Sequence, residues 1–264
     1  MKLTFLGTGT SHGVPAIDCM LNDFARCPKK VCKAAFTDSK HNRTRCSVVV
    51  EVGGKSVLID VSPDFRQQVL RDKIMAIDAV LITHCHADHI GGIPDIRSYT
   101  DTPLPFFASR ESAQRIRQSF DYVFNPPQMR GGGIPEIDLH EISEPFELFG
   151  ETIVPVWVEH GSLKGAFGYR IGNLAYVPDL KTLPEAGKEK LSGVKCLVLD
   201  ALRDERPHST HMILPESIAL ARELGAERTY FTHLAHNIHY GLDAPLLDQT
   251  MAFAHDGLRL EIDD

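Results

Sequence analysis

No apolar run in this chain of 264 residues approaches the roughly 18 that a membrane-spanning helix needs, so a helical membrane protein is excluded. Basic residues are in short supply as well. Against 35 Asp and Glu stand 28 Lys and Arg, a formal net charge of -7, and the chain lacks the strongly basic face that grips nucleic acid through its phosphates. No Ser/Gly/Pro-rich linker, charge block or short-period repeat divides it, which points to one domain over residues 1–264. The opening apolar stretch meets Gly7 at once. That is too short for the hydrophobic segment of a secretion signal and reads as a first strand. Six cysteines without such a signal do not make a disulfide scaffold; they read as thiols, some of them available to metal. The expectation is a soluble, cytoplasmic protein that engages neither membrane nor nucleic acid, with a homodimer as the commonest assembly.

What is present is a rhythm of short β-branched runs, at 2–6, 47–52, 56–59, 79–83, 152–158, 195–199 and 229–232. Helical patterns lie between some of them, at 63–71, 109–120, 184–191 and 215–224, where proline in a first turn is a start signal. In the last of these, Ile218, Ala221 and Leu224 mark a buried stripe. Strand runs followed by helices, once in each half, suggest two sheets face to face with helices outside rather than an alternating parallel sheet. The stretch 125–133, with Pro126, Pro127 and three consecutive glycines, fits neither helix nor strand. It reads as a mobile loop, either a surface connection or a binding lid.

Thirteen histidines cluster around 84–89, 208–211 and 233–239. In His84-Cys85-His86-Ala87-Asp88-His89, four ligand-type side chains fall within six residues directly after the strand at 79–83, so they project from its C-terminal end. Imidazole and carboxylate suit zinc, manganese or iron, and this many ligands on one turn suit two ions better than one. Two ions need further ligands, and other strand ends offer them. His160 follows the strand at 152–158, Asp179 follows Leu174-Ala175-Tyr176-Val177, and His233 follows 229–232. Singly, each reads as well as a polar loop residue; together they point to metal.

With these residues the chain resembles the metallo-β-lactamase superfamily over nearly its whole length. The resemblance implies an α+β fold, a four-layer αββα sandwich with two divalent ions, zinc or manganese, at one edge of the sheets. It implies His84, His86 and His160 on one ion, Asp88, His89 and His233 on the other, and Asp179 between them. Asp60, in Leu58-Ile59-Asp60-Val61, would stand behind a ligand histidine and orient it; a strand-end turn residue is the alternative. The glycine-rich segment from Gly7 to Gly13 lacks the G-x-x-x-x-G-K-[ST] form that cradles a nucleotide phosphate. In position, however, it is similar to the start of the phosphodiesterase branch, and more narrowly to the phosphonate-pathway cyclic phosphodiesterases, the PhnP-like proteins. Those follow the turn with a cysteine trio on a structural zinc, completed by a histidine after the last active-site ligand. The resemblance thus implies a zinc-binding loop over 19–32, with Cys19, Cys27, Cys32 and His236 as a closed tetrahedral set. The spacing departs from the branch's C-x-C-x-x-C, with seven residues between Cys19 and Cys27 and four between Cys27 and Cys32, so three free thiols remain the alternative. Cys46, Cys85 and Cys196, in or beside strands, read as buried small hydrophobes.

In the same branch a histidine just before a helix faces the scissile phosphate. The segment Arg206-Pro207-His208-Ser209-Thr210-His211 supplies it as His211, with His208 as competitor. The implied activity is dinuclear-metal-dependent hydrolysis of a small phosphodiester, cyclic ones such as phosphoribosyl 1,2-cyclic phosphate included. Asp88 and His211 are then the catalytic residues, His211 as general acid toward the leaving alkoxide, while two ions about 3.5–4 Å apart activate water and neutralise the phosphate. Arg97, Lys164 and Arg203 are candidates for a second phosphate, each equally a solvated charge. Thioester or lactam hydrolysis at the same metals is a rival reading, and a metal-binding accessory protein resembling the coenzyme-PQQ biosynthesis member is another. Seven ligands with His211 beside them favour catalysis over mere binding. A tRNA-processing nuclease would want a basic arm that is not here, and a flavodiiron-type site would want glutamate in place of His86.

Overall fold

The computed structural model describes residues 1–100, 102–126 and 133–263. Among them fourteen strands form two seven-stranded sheets. In the first, β1 (Lys2–Gly7), β2 (Ser47–Val52), β3 (Lys55–Ile59), β4 (Ala79–Leu81), β5 (Leu104–Ala108) and β6 (Ile137–Glu141) lie side by side in chain order. The second takes β7 (Phe146–Leu148), β8 (Glu151–Trp157), β9 (Phe167–Ile171), β10 (Leu174–Val177), β11 (Cys196–Asp200), β12 (Arg228–Thr232) and β13 (Met251–Phe253), after which the chain returns to lay β14 (Arg259–Glu261) beside β1. Each sheet starts antiparallel and turns parallel, from β3 through β6 in one and from β10 through β13 in the other. Ligand sites in open α/β sheets form outside the carboxyl ends of such parallel strands. Here two sets of those ends face one edge.

The sandwich follows from strands that are apolar on both faces. In β2, Val48, Val50 and Val52 enter the core between the sheets, while Val49 points the other way, into a second core under the helices. The same alternation divides β11. Cys196 and Val198 face the first sheet, and Leu197 and Leu199 face the outer helices. Continuous apolar runs of this kind mark strands covered on both sides. The outer layers are helical: Phe65–Asp72 and Arg110–Ser119 on one side, Glu185–Leu191 and Leu214–Leu224 on the other, anchored by Phe65, Ile116, Leu191 and Ile218. The αββα arrangement read from the sequence is the observed one, and no described helix is long and apolar enough to cross a membrane.

One expectation changes. Residues 19–32 are not a plain loop. A short helix (Ile17–Leu21) carries Cys19, a 3-10 turn (Pro28–Lys30) follows Cys27, and a second short helix (Val31–Ala34) carries Cys32. Compact turns converge three thiols where an extended loop would scatter them. Of the proline- and glycine-rich stretch 125–133, residues 127–132 lie outside the described residues.

The glycine-rich start of the chain is shaped by packing. A Cβ at Gly7 would stand 2.0 Å from the Arg45 carbonyl oxygen, and one at Gly9 would stand 2.9 Å from that of Arg43. Asp256 then ties this turn down from the far end of the chain. Its buried carboxylate accepts from Thr8 N (2.9 Å) and Thr8 Oγ1 (2.8 Å), and from Thr44 N (2.9 Å) and Thr44 Oγ1 (2.6 Å).

Candidate metal centre

Strand ends from both sheets converge on one crevice. β4 runs out into His84, and a single helical turn (Ala87–Ile90) opens behind His86 with Asp88 and His89 in it. His160 follows β8, Asp179 follows β10 and His233 follows β12. His233 has φ 57° and Asp60, at the end of β3, has φ 65°. A left-handed conformation costs a non-glycine residue about 1–2 kcal/mol. Accepting that cost at two strand ends on the same crevice indicates that the direction of these side chains matters.

Asp179 is the hub. Its Oδ2 lies 3.8 Å from His84 Nε2, 3.8 Å from His160 Nε2 and 3.5 Å from His233 Nε2, and its Oδ1 lies 3.5 Å from His89 Nε2. On one flank His86 Nδ1 is 2.9 Å from His84 Nε2 and 3.3 Å from His160 Nε2. On the other, Asp88 Oδ2 is 3.4 Å from His89 Nε2 and 3.8 Å from His233 Nε2. The seven residues named from the sequence thus come together as two trios with one carboxylate against both.

Several of these atoms have no other use. Among the described residues, His89 Nε2, both ring nitrogens of His233 and Asp179 Oδ1 are buried without a hydrogen-bond partner. Each such atom costs about 1–3 kcal/mol if left unpaired, and a domain is stable by only roughly 5–15 kcal/mol. Nitrogen and carboxylate donors aimed at two common points fit a pair of divalent ions.

The electrostatics agree. Burial holds His84 and His86 below the usual imidazole range and brings His160 to about 4, so this trio offers neutral bases with free lone pairs. At His89 burial acts in the same direction but is overridden by Asp179, Asp88 and Asp60, which hold it well above the usual range. Burial would also raise Asp88 and Asp179, yet the histidines around them keep both below the ordinary carboxylate range. The second trio is a pocket of negative charge that favours a cation.

Two buried carboxylates stand behind the crevice. Asp60 accepts from Thr83 N (2.8 Å), Thr83 Oγ1 (2.7 Å) and His89 Nδ1 (2.7 Å), which turns His89 Nε2 to the front. Asp200, last residue of β11, lies with Oδ2 2.9 Å from His211 Nδ1 and with Oδ1 3.7 Å from His233 Nδ1. Sequence reasoning assigned Asp200 no role, because an aspartate closing an apolar strand looks like any turn residue. The available signal was its neighbours in the sheet, since β10 and β12 on either side end in Asp179 and His233. Burial would lower His211, but Asp200 outweighs it and lifts the imidazole to about 9. The His211 ring stacks on His233 at 4.6 Å and 15° and places Nε2 3.9 Å from Asp179 Oδ2. His208 stands further out, 5.2 Å from His211 between ring centres. Of the candidate anchors for a second phosphate, Arg97 lies 4.0 Å from Asp95, Lys164 is exposed, and Arg203 lines a cavity shared with His211.

The three N-terminal thiols also meet. Cys19 Sγ is 3.1 Å and Cys32 Sγ 3.6 Å from His236 Nδ1, and all four ligand atoms of the Cys19, Cys27, Cys32 and His236 set lie within 4.8 Å of one another. Backbone N–H groups of Cys32 and Ala16 donate to Cys27 Sγ (3.2 Å) and Cys32 Sγ (3.3 Å). Burial, and then the neighbouring thiols of Cys32 and Cys27, push the Cys19 thiol far up. A cation among them would relieve that repulsion, so the donor set fits zinc. Of the other cysteines, Cys46 and Cys196 are buried and Cys85 is half-buried.

Residues 55–234 match the Beta-lactamase superfamily domain. The crystal structure of a diphosphatase from the PhnP family is similar with a TM-score of 0.88 and 39% identity, covering 99% of this chain and 98% of that one. An octanoyltransferase of Porphyromonas gingivalis is 33% identical over 270 residues, covering 100% of this chain and 52% of that protein, so the chain spans about half the length of that relative. Coenzyme PQQ synthesis protein B of Methylobacterium nodulans is 28% identical over 228 residues, 76% of this chain and 72% of that protein.

Proposed function

We propose, from the premise that this chain belongs to the metallo-β-lactamase superfamily and is PhnP-like, that it is a hydrolase of small phosphate diesters, cyclic ones such as phosphoribosyl 1,2-cyclic phosphate included, or of diphosphates. The observation that carries the reading is His211. A protonated imidazole held by Asp200 at the edge of the ligand crevice is what a phosphate oxygen and a departing alkoxide need, and acyl transfer has no comparable use for it. In this reading His84, His86 and His160 would hold one zinc or manganese ion and Asp88, His89 and His233 the other, with Asp179 available to both. When bound, such a pair supplies Lewis acidity and lowers the pKa of water toward neutrality.

The protein groups do the rest. Asp200 accepts from His211 Nδ1 and stabilises the imidazolium, so that Nε2, which faces substrate, also carries a proton for His211 to donate to the leaving oxygen. Asp88, partly exposed at the mouth of the crevice, orients the attacking water. Asp60 fixes the tautomer of His89. Cys19, Cys27, Cys32 and His236 would hold a third, structural zinc.

Thioester hydrolysis is the second reading, favoured by the similarity to an octanoyltransferase, although that name belongs to a protein of which this chain spans 52%. Metal-loaded protein assayed with bis(p-nitrophenyl) phosphate, an aryl thioester and a chromogenic β-lactam separates the two. Diester cleavage is expected, lost in His211→Ala without loss of metal. Thioester turnover beside an inert diester would overturn the proposal, and metal binding with no turnover would favour an accessory role like that suggested by the PQQ-synthesis relatives.

A further inference from the structure

Lys29 sits in the 3-10 turn (Pro28–Lys30) between Cys27 and Cys32, and its ammonium reaches two carboxylates at once. Nζ donates to Asp243 Oδ1 at 2.7 Å and Oδ2 at 2.8 Å, and it lies 2.8 Å from Asp204 Oδ2. Three segments of the chain thus meet on one charge. Burial opposes that charge, yet Asp204 and Asp243 outweigh it and hold the ammonium more firmly protonated than usual. The backbone that delivers Nζ is strained. Lys29 and Lys30 are both left-handed, with φ 50° and 57°, a conformation unfavourable for any residue with a Cβ.

The two carboxylates are held differently. Asp243 is buried and also accepts from His239 N at 2.7 Å, which makes it a fixed anchor. Asp204 is partly exposed and belongs to the loop 203–211. Backbone bonds close the base of that loop, from Leu202 N to Met212 O (3.1 Å) and from Leu214 N to Arg203 O (2.8 Å). Lys29 grips the part that protrudes beyond them. What the loop carries makes the grip consequential. Its Thr210 carbonyl accepts the His160 Nδ1 proton at 2.9 Å, so that His160 Nε2 is the atom turned toward Asp179. His211 is the next residue. One loop therefore aims a ligand-type imidazole and bears the acid.

We infer that Lys29 is a positioning residue: by clamping Asp204 against Asp243 it relays the folding of the cysteine turn to the loop 203–211, and so to the aim of His160 and His211. Gathering Cys27 and Cys32 on one point also fixes the point from which Lys29 reaches. The cysteine set then acts beyond its own neighbourhood, and by linkage occupancy of that set and of the first trio strengthen each other. The kinetic part of the inference rests on the phosphoester reading above, and the structural part stands apart from it.

The test compares Lys29→Met with Lys29→Arg, which keeps the charge, and with Lys30→Met, which removes a neighbouring ammonium bonded to the Phe24 and Ala25 carbonyls. In the metal-loaded protein, amide hydrogen exchange read by mass spectrometry should show residues 204–211 opening about fivefold more often in Lys29→Met, with β11 unchanged. Competition with a fluorescent zinc chelator should show one crevice ion bound about threefold or more weakly. The kcat for bis(p-nitrophenyl) phosphate should fall about fivefold with KM nearly unchanged. Lys29→Arg should recover most of each effect, and Lys30→Met should show none. If Lys29→Met releases the metal of the cysteine set, Asp204→Asn, which leaves that turn untouched, should reproduce the loop opening and the loss of kcat. Unaltered exchange and crevice affinity in both Lys29→Met and Asp204→Asn would overturn the clamp, as would a loss that Lys30→Met shares in full. A diester left intact by the unaltered protein would instead remove the phosphoester reading, while exchange and metal affinity still decide on the clamp.

Discussion

The two clusters of ligand-type side chains are built on opposite plans. The cysteine set takes three of its four members from a stretch of compact turns and spends every one on a single point, its sulfurs accepting from backbone N–H groups. The crevice around Asp179 draws on the ends of strands in both sheets, and His86 at its mouth is exposed. It also holds more than two ions require, since His211 and Asp200 stand beside the trios with no ligand left to complete. A closed set with nothing spare suits structure, whereas an open set with a spare acid suits chemistry. Under the proposed function, the contrast assigns reactivity to one cluster and local stability to the other.

Substitutions can break that contrast, the most severe first. Asp179→Ala should lower kcat/KM by at least about 10³ and remove about two of three bound metal ions by elemental analysis, since the carboxylate serves both trios. Full metal occupancy in this variant would contradict the shared-ligand role. His211→Ala should cost about 10²–10⁴ in kcat while metal content is retained; parallel loss of metal would make His211 a ligand instead. Asp200→Asn should cost about 10–100-fold in kcat with little change in KM, and an unaffected rate would show that His211 needs no anchor. Cys27→Ser should release one metal ion and lower the melting temperature by several degrees, with turnover reduced less than about tenfold. If turnover collapses while two ions remain, the division of labour is wrong.

A smaller effect concerns the backing of the cysteine cluster. Arg43 donates to the carbonyls of Ala235 and Ile238 on either side of His236, and buried His41 packs 4.4 Å from His239. Burial, then the charges of Arg43 and His239, bring His41 down to about 4. The folded state therefore binds this proton less readily than the unfolded chain, whose ordinary value is 6.5. Its contribution to stability is complete above about 6.5 and is lost as pH falls toward 4. His41→Gln should flatten the fall in melting temperature across that window, and an unchanged slope would assign it to the other histidines.

Much of this was legible in the sequence because burial on both faces writes strands as unbroken apolar runs. β2 was located to the residue, and β8, β11 and β12 within one residue at each end, as were the helices at 109–120 and 215–224. Several of the strands that escaped carry breakers or charge. Pro105 interrupts β5, Gly168 sits within β9, and β6 reads Ile-Asp-Leu-His-Glu with only Ile137 and Leu139 apolar. Within the crevice, residues 84–89 announced themselves by density. Asp200 did not, because its meaning lies in the strand beside it rather than in the residues before and after. Asp256 was invisible for the same reason, its partners being 248 and 212 positions away.

That last separation bears on how the molecule is made. The turn that bears Ser11 and His12, on the wall of the cavity, is synthesised well before the carboxylate that holds it, which lies 248 positions beyond Thr8. Closing a loop of this length is slow and entropically costly compared with local contacts. The entrance to the site is therefore settled only after Asp256 has been made, and a nascent protein that already has its first strands paired is still without a finished binding surface.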